Sequence, residues 1–153
     1  MTINTQITNH ALSLLIRCAL VGLMLPAFAQ AAGSSANSSE LLKQAAAYQS
    51  KGQVNLAQNV LKQALVQAQA AGDLRAEAQV KNNLASLWIL ASRKYRAPTE
   101  EPDIYLLESL KIAEGLGDKS LESGIRANLG NLLVGMGNYE DAVWNFKQAV
   151  DQA

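Results

Sequence analysis

Residues 127 to 149 read Ala-Asn-Leu-Gly-Asn-Leu-Leu-Val-Gly-Met-Gly-Asn-Tyr-Glu-Asp-Ala-Val-Trp-Asn-Phe-Lys-Gln-Ala. Leu129, Gly130 and Leu133 recur at helical spacing and mark the packed side of one helix. Gly137 and Asn138 form the turn. Tyr139, Ala142, Phe146 and Ala149 mark the packed side of a second helix running back. The small residues Gly130 and Ala142 stand where the two helices come closest. Leu133 and Phe146 fill the space beside them.

The same hairpin is written earlier in the chain. With Gly52 aligned on Gly137, Ala45 answers Gly130, Ala57 answers Ala142, Leu61 answers Phe146 and Ala64 answers Ala149. Asn37 and Glu40 have the spacing of a capping pair, and a first helix carrying Leu41, Ala45 and Tyr48 follows to about Lys51. The second runs from about Val54 to Ala70 with Ala57, Leu61, Ala64, Leu65 and Ala68 inward. Gly72 stops it and Asp73 caps the next helix. Gln44 stands where the last hairpin has Leu129, which suits a terminal unit whose outer side meets water.

The middle unit is less regular. Asn83-Leu84-Ala85 answers Asn128-Leu129-Gly130, Trp88 answers Leu133, and Leu106, Leu110 and Ala113 answer Ala142, Phe146 and Ala149. Ser92, however, occupies the place of the turn glycine, and about nine extra residues enter between residues 93 and 103. Pro98 and Pro102 exclude a continuous helix there. The next helix is expected to open at Thr99 or Glu101, with Pro102 tolerated in its first turn. Gly117-Asp118 closes this unit as Gly72-Asp73 closes the first.

These matched offsets resemble the tetratricopeptide repeat, in the long-period class found in kinesin light chains and in adaptors of G-protein alpha subunits. The likeness covers residues 38–153, with repeats at about 38–72, 78–117 and 123–153. It implies an all-α solenoid of three helical hairpins in a right-handed stack, each covering its neighbour. It also implies that the first helix of each pair lines a concave groove. Gln79, Asn82, Asn83, Ser86 and Ile89 would lie there with Asn128, Asn131 and Val134, and Ser39, Leu42, Ala46 and Gln49 would add the first unit. A side-chain amide both donates and accepts, so a ladder of asparagines can pair with the backbone of an extended peptide. The alternative is that Asn83 and Asn128 bond within their own helices or across the repeat junction. Co-chaperone repeats clamp a C-terminal carboxylate with lysine, arginine and two asparagines at set positions. The matching positions here are Leu42, Ala46, Asn83, Gly124 and Asn128, none of them basic. Only Asn83 fits.

The N-terminal stretch reads as a removable leader. Ala11 to Leu25 is apolar apart from Ser13, Arg17, Cys18 and Gly22, and Ala27-Phe28-Ala29 precedes Gln30 as a small-x-small cleavage pattern. The segments are then 1–29 as signal peptide and 30–37 as a flexible lead-in. A periplasmic or secreted location follows, the alternative being an anchor that would carry Arg17 into the membrane. Arg17 directly before Cys18 argues against lipid attachment.

Loss of the leader would remove the single cysteine, Cys18, and the single histidine, His10. No thiol nucleophile, imidazole base or His/Cys zinc site would remain. The chain has 13 basic and 13 acidic residues, so losing Arg17 leaves one net negative charge and no electrostatic case for nucleic acid or an anionic membrane. Glu100, Glu101 and Asp103 beside Arg93, Lys94 and Arg96 read as a self-neutralising loop. Gly135-Met136-Gly137 lacks the lysine of a phosphate loop.

No enzyme, cofactor or metal is therefore expected. The expectation is a protein-binding module, or alternatively the N-terminal array of a longer protein that docks or regulates an effector domain. Trp88 takes a core position. Trp144, with Tyr95 and Tyr105, is a candidate contact for a partner. Trp144 and Phe146 lie at an edge that nothing further covers, which points to self-association through the last helix, a partner there, or a longer array.

Overall fold

A computed structural model describes residues 37–95 and 102–152. The described residues form six helices and no strand. They are α1 (37–50), α2 (Val54–Ala71), α3 (Leu74–Tyr95), α4 (Pro102–Leu116), α5 (Lys119–Met136) and α6 (Tyr139–Asp151). Consecutive helices pack as hairpins, and α3 also touches α5, so the arrangement is all-α and solenoid-like. Residues 1–36, 96–101 and 153, which take in the expected leader and most of the expected lead-in, lie outside the described residues.

One turn is used four times. Gly52, Gly72, Gly117 and Gly137 all have positive φ, between 65° and 80°, where a Cβ is strained. In each case the next residue's N–H donates five positions back: Gln53 to Tyr48, Asp73 to Ala68, Asp118 to Ala113 and Asn138 to Leu133, at 2.9–3.0 Å. These bonds satisfy carbonyls that a helix end leaves open. At three of the four turns the side chain of the residue after the glycine then caps the following helix; Gln53 makes no such bond. Asp73 accepts from the Ala76 N–H at 3.0 Å, and Asp118 accepts from the Leu121 N–H at 3.1 Å.

These caps move the expected boundaries. The second and third units open at Leu74 and Lys119 rather than near 78 and 123, because the capping aspartates place the first turns there. The stretch 93–103 is not all loop: α3 runs on through Tyr95 and α4 begins at Pro102. Ser92 offers no residue suited to a left-handed turn, so the helix continues. Asn37 belongs to α1 rather than to the lead-in.

Small side chains form the seams. Ala57, Leu61, Ala64 and Ala68 repeat along α2 and are fully buried. Ala57, Leu61 and Ala64 pack with Ala45 of α1 and with Val80, Leu84, Leu87 and Trp88 of α3. A second cluster joins Ala78, Ala85 and Ile89 to Leu106, Ala113, Leu121, Ile125 and Leu129. Ile89 is thus in the core and not in the groove. Each fully buried leucine or isoleucine contributes about 1.5–3 kcal/mol. Tyr105, a candidate partner contact, instead meets Trp88 edge-on, with ring centroids 4.8 Å apart. Two hydroxyls pin neighbouring helices: Ser109 donates to the Ala78 carbonyl at 2.8 Å and Ser123 to the Ala149 carbonyl at 2.6 Å.

Gly130 serves the third hairpin by lacking a side chain. A Cβ there would stand 2.5 Å from Phe146 Cε1. Phe146 is accordingly half-buried against α5 rather than free at the edge. Gly124, in the same helix, has nothing within 4 Å of the corresponding point.

The two glycines give opposite expectations. Gly130→Ala should destabilise the fold by about 1–3 kcal/mol through overpacking. Gly124→Ala should stabilise it by up to about 1 kcal/mol through helix propensity. Urea denaturation followed by circular dichroism measures both; equal effects would contradict this account of the seam.

Candidate functional site

The concave side is built from α1, α3 and α5. Leu42, Lys43 and Ala46 come from α1, Arg75, Gln79, Asn82 and Asn83 from α3, and Ser120, Leu121 and Gly124 from α5. Together they line an open groove of about 480 Å³. The three amides sit together because Gln79, Asn82 and Asn83 are spaced within one helical turn of each other. The register of α3 is in turn held by Val80, Leu84 and Leu87 in the core.

The expected ladder divides. Gln79, Asn82 and Asn83 reach the groove, while Ser86, Asn128 and Asn131 are not among its lining residues. Asn128 Nδ2 donates to Asn82 Oδ1 at 2.8 Å, so these two amides bond across the junction between α5 and α3. Asn131 is exposed and Ser86 half-buried, further along their helices. Residues 79, 82 and 83 are therefore brought together, and 128 acts on them through Asn82.

Two groove cations escaped the sequence reading. Lys43 lies 3.6 Å from Glu40. Arg75 Nε donates to Asp118 Oδ2 at 2.6 Å and ties the start of α3 to the start of α5. Bonds from Arg75 and from the Leu121 N–H hold the Asp118 carboxyl below its ordinary range.

No protein-family profile, curated protein or solved structure matches the chain. Among the described residues no cluster of three or more His, Cys, Asp or Glu is placed to hold a metal ion. Among the same residues no helix is long and apolar enough to cross a membrane.

Away from the groove, buried charge joins the hairpins. Glu122 is 2% exposed. Its Oε1 accepts from Arg126 Nε at 3.0 Å and from Gln152 Nε2 at 2.7 Å. Its Oε2 accepts from Lys119 Nζ at 2.8 Å. Arg126 reaches on to Glu114 of α4 at 2.9 Å, and its guanidinium lies 5.4 Å from the centre of the Trp144 ring. Trp144 remains 53% exposed on its other side.

A smaller version joins α3 and α4, where Lys81 contacts Glu77 at 2.7 Å and Glu108 at 2.8 Å. Burial favours the neutral forms, but the mutual bonds outweigh it: Glu77 is lowered and Lys81 raised. A signal for both was present, since Glu77/Lys81 and Glu122/Arg126 are i,i+4 pairs at the same offset of 45 residues.

The Lys119 bond, opposed by burial and helped by Gln152 and Arg126, holds the Glu122 carboxyl down to about 2. An unfolded glutamate titrates near ~4.3. A depressed folded pKa stabilises the fold above the unfolded value, and that stability is lost as pH falls through about 2. Stability from urea titrations should therefore decline between about pH 5 and pH 2. Glu122→Gln should be less stable at neutral pH and show a shallower decline; an unchanged slope would refute the role of Glu122.

Proposed function

We propose that the chain is a non-enzymatic protein-interaction module of the tetratricopeptide type, which holds an extended segment of another protein in the α1–α3–α5 groove. The observation that carries this reading is the grouping of Gln79, Asn82 and Asn83 along one wall of an open groove. Amides of this kind pair with peptide N–H and C=O groups whatever the ligand's side chains. Leu42 and Leu121 offer apolar contact within the same groove, and Lys43 and Arg75 favour acidic residues in the ligand. The hairpins with glycine turns and small-residue seams support the family reading. The leader over 1–29 makes the module periplasmic or secreted. Its partner is protein, with no part for nucleic acid or membrane after leader cleavage.

The test uses a display library of unstructured peptides, selected on the purified protein. Selected peptides should bind in the micromolar range by calorimetry. Gly124→Trp, which projects a ring from an exposed position with free space around it, should weaken them at least tenfold. Asn83→Ala should weaken them by about fivefold, the loss of roughly one hydrogen bond. Peptides that bind both variants as well as wild type would show that the groove is not the site.

A further inference from the structure

We propose that the outer edge of α6 is one half of an antiparallel, two-fold interface between two copies of this chain. Tyr139, Val143, Phe146 and Val150 recur at steps of four, three and four, the spacing of a coiled-coil seam. Tyr139 is 66%, Val143 51% and Val150 76% exposed. Phe146 gives one face to Gly130 and stays half-buried. Beside this stripe, two turns apart, stand Glu140 and Lys147, both exposed. Neither makes an ion pair with another described residue.

The pattern is its own complement when reversed. An antiparallel second copy sets Tyr139 opposite Val150 and Val143 opposite Phe146, then repeats both pairs across the axis. The same axis brings Glu140 beside Lys147 of the other copy, twice. A parallel copy would set like residues at the same height and leave both charges without opposites. Antiparallel helices also oppose their dipoles favourably. The surface is thus isologous, and such contacts close at two copies instead of propagating.

The contact is one helix of 13 residues, about 20 Å long. That falls short of the ~800 Å² per partner of a standard interface, so the dimer is weak and concentration-dependent. No α6 residue lines the groove, so a dimer would present two grooves and gain avidity for a ligand carrying two sites.

Sedimentation velocity on the purified protein over the micromolar range tests the proposal. The weight-average mass should rise from one copy towards two and go no further. Glu140→Lys and Lys147→Glu should each weaken dimerisation by roughly tenfold, since each removes two ion pairs and creates two repulsions. The double reversal E140K/K147E should restore the wild-type constant to within about twofold, because the pairs re-form with exchanged signs. Val143→Lys, at a half-exposed site, should abolish the dimer independently. Circular dichroism melts check that every variant is folded. A monomer at all concentrations, masses above two copies, indifference to the single reversals, or failure of the double reversal to rescue would each overturn the proposal.

Discussion

The ring of Phe146 rests where Gly130 has no side chain, and the rest of the stack depends on approaches of this kind. Ala142 and Ala149 play the same part along that seam, and Ala57 and Ala64 along the seams of α2. Each lets a backbone come near enough for a leucine or aromatic ring on the facing helix to fill the gap beside it. A methyl group is cheap to bury but leaves little space to spare. Close-packed interiors of this sort tolerate neither an added Cβ nor a lost ring without moving helices.

Helices packed on small residues bury modest area per hairpin, and buried charge adds direction to the stack. Glu122 and Arg126 reach α4 through Glu114 and the end of α6 through Gln152. Lys81 holds α3 to α4 through Glu108. Such groups are costly to bury alone but acceptable when every oxygen and nitrogen finds a partner. The geometry constrains which face of each helix meets the next, where alanine seams alone would allow sliding. The ladder of first helices then follows. With α3 touching α5, the groove residues of α1, α3 and α5 are set side by side, and the bond between Asn82 and Asn128 joins two of its rungs.

Much of the fold was legible because its determinants are local or periodic. Left-handed glycines at 52, 72, 117 and 137 announce the turns, and alanines at matched offsets announce the seams. The inserted stretch was misjudged at its edges. Helix α3 is described through Tyr95, and Ser92 gives no local sign that the helix runs on past the expected turn. Gln79, Asn82 and Asn83 were expected at the groove from the repeat resemblance together with helical phase. Lys43 and Arg75 were not, since a charged residue on an exposed helix face looks the same whether or not a groove lies beneath it.

The sequence by itself determined that this chain makes hairpins of helices with close seams, because turn chemistry and side-chain size act over a few residues. It also determined the palindromic order of Tyr139, Glu140, Val143, Phe146, Lys147 and Val150. Only the tertiary structure decided which polar residues became interior. Glu122 and Arg126 differ from surface residues only in what lies across from them. Asn128 turned to Asn82, 46 positions away, rather than to open groove. A contact between distant residues has no local signature, and its energy exists only once the intervening helices have packed.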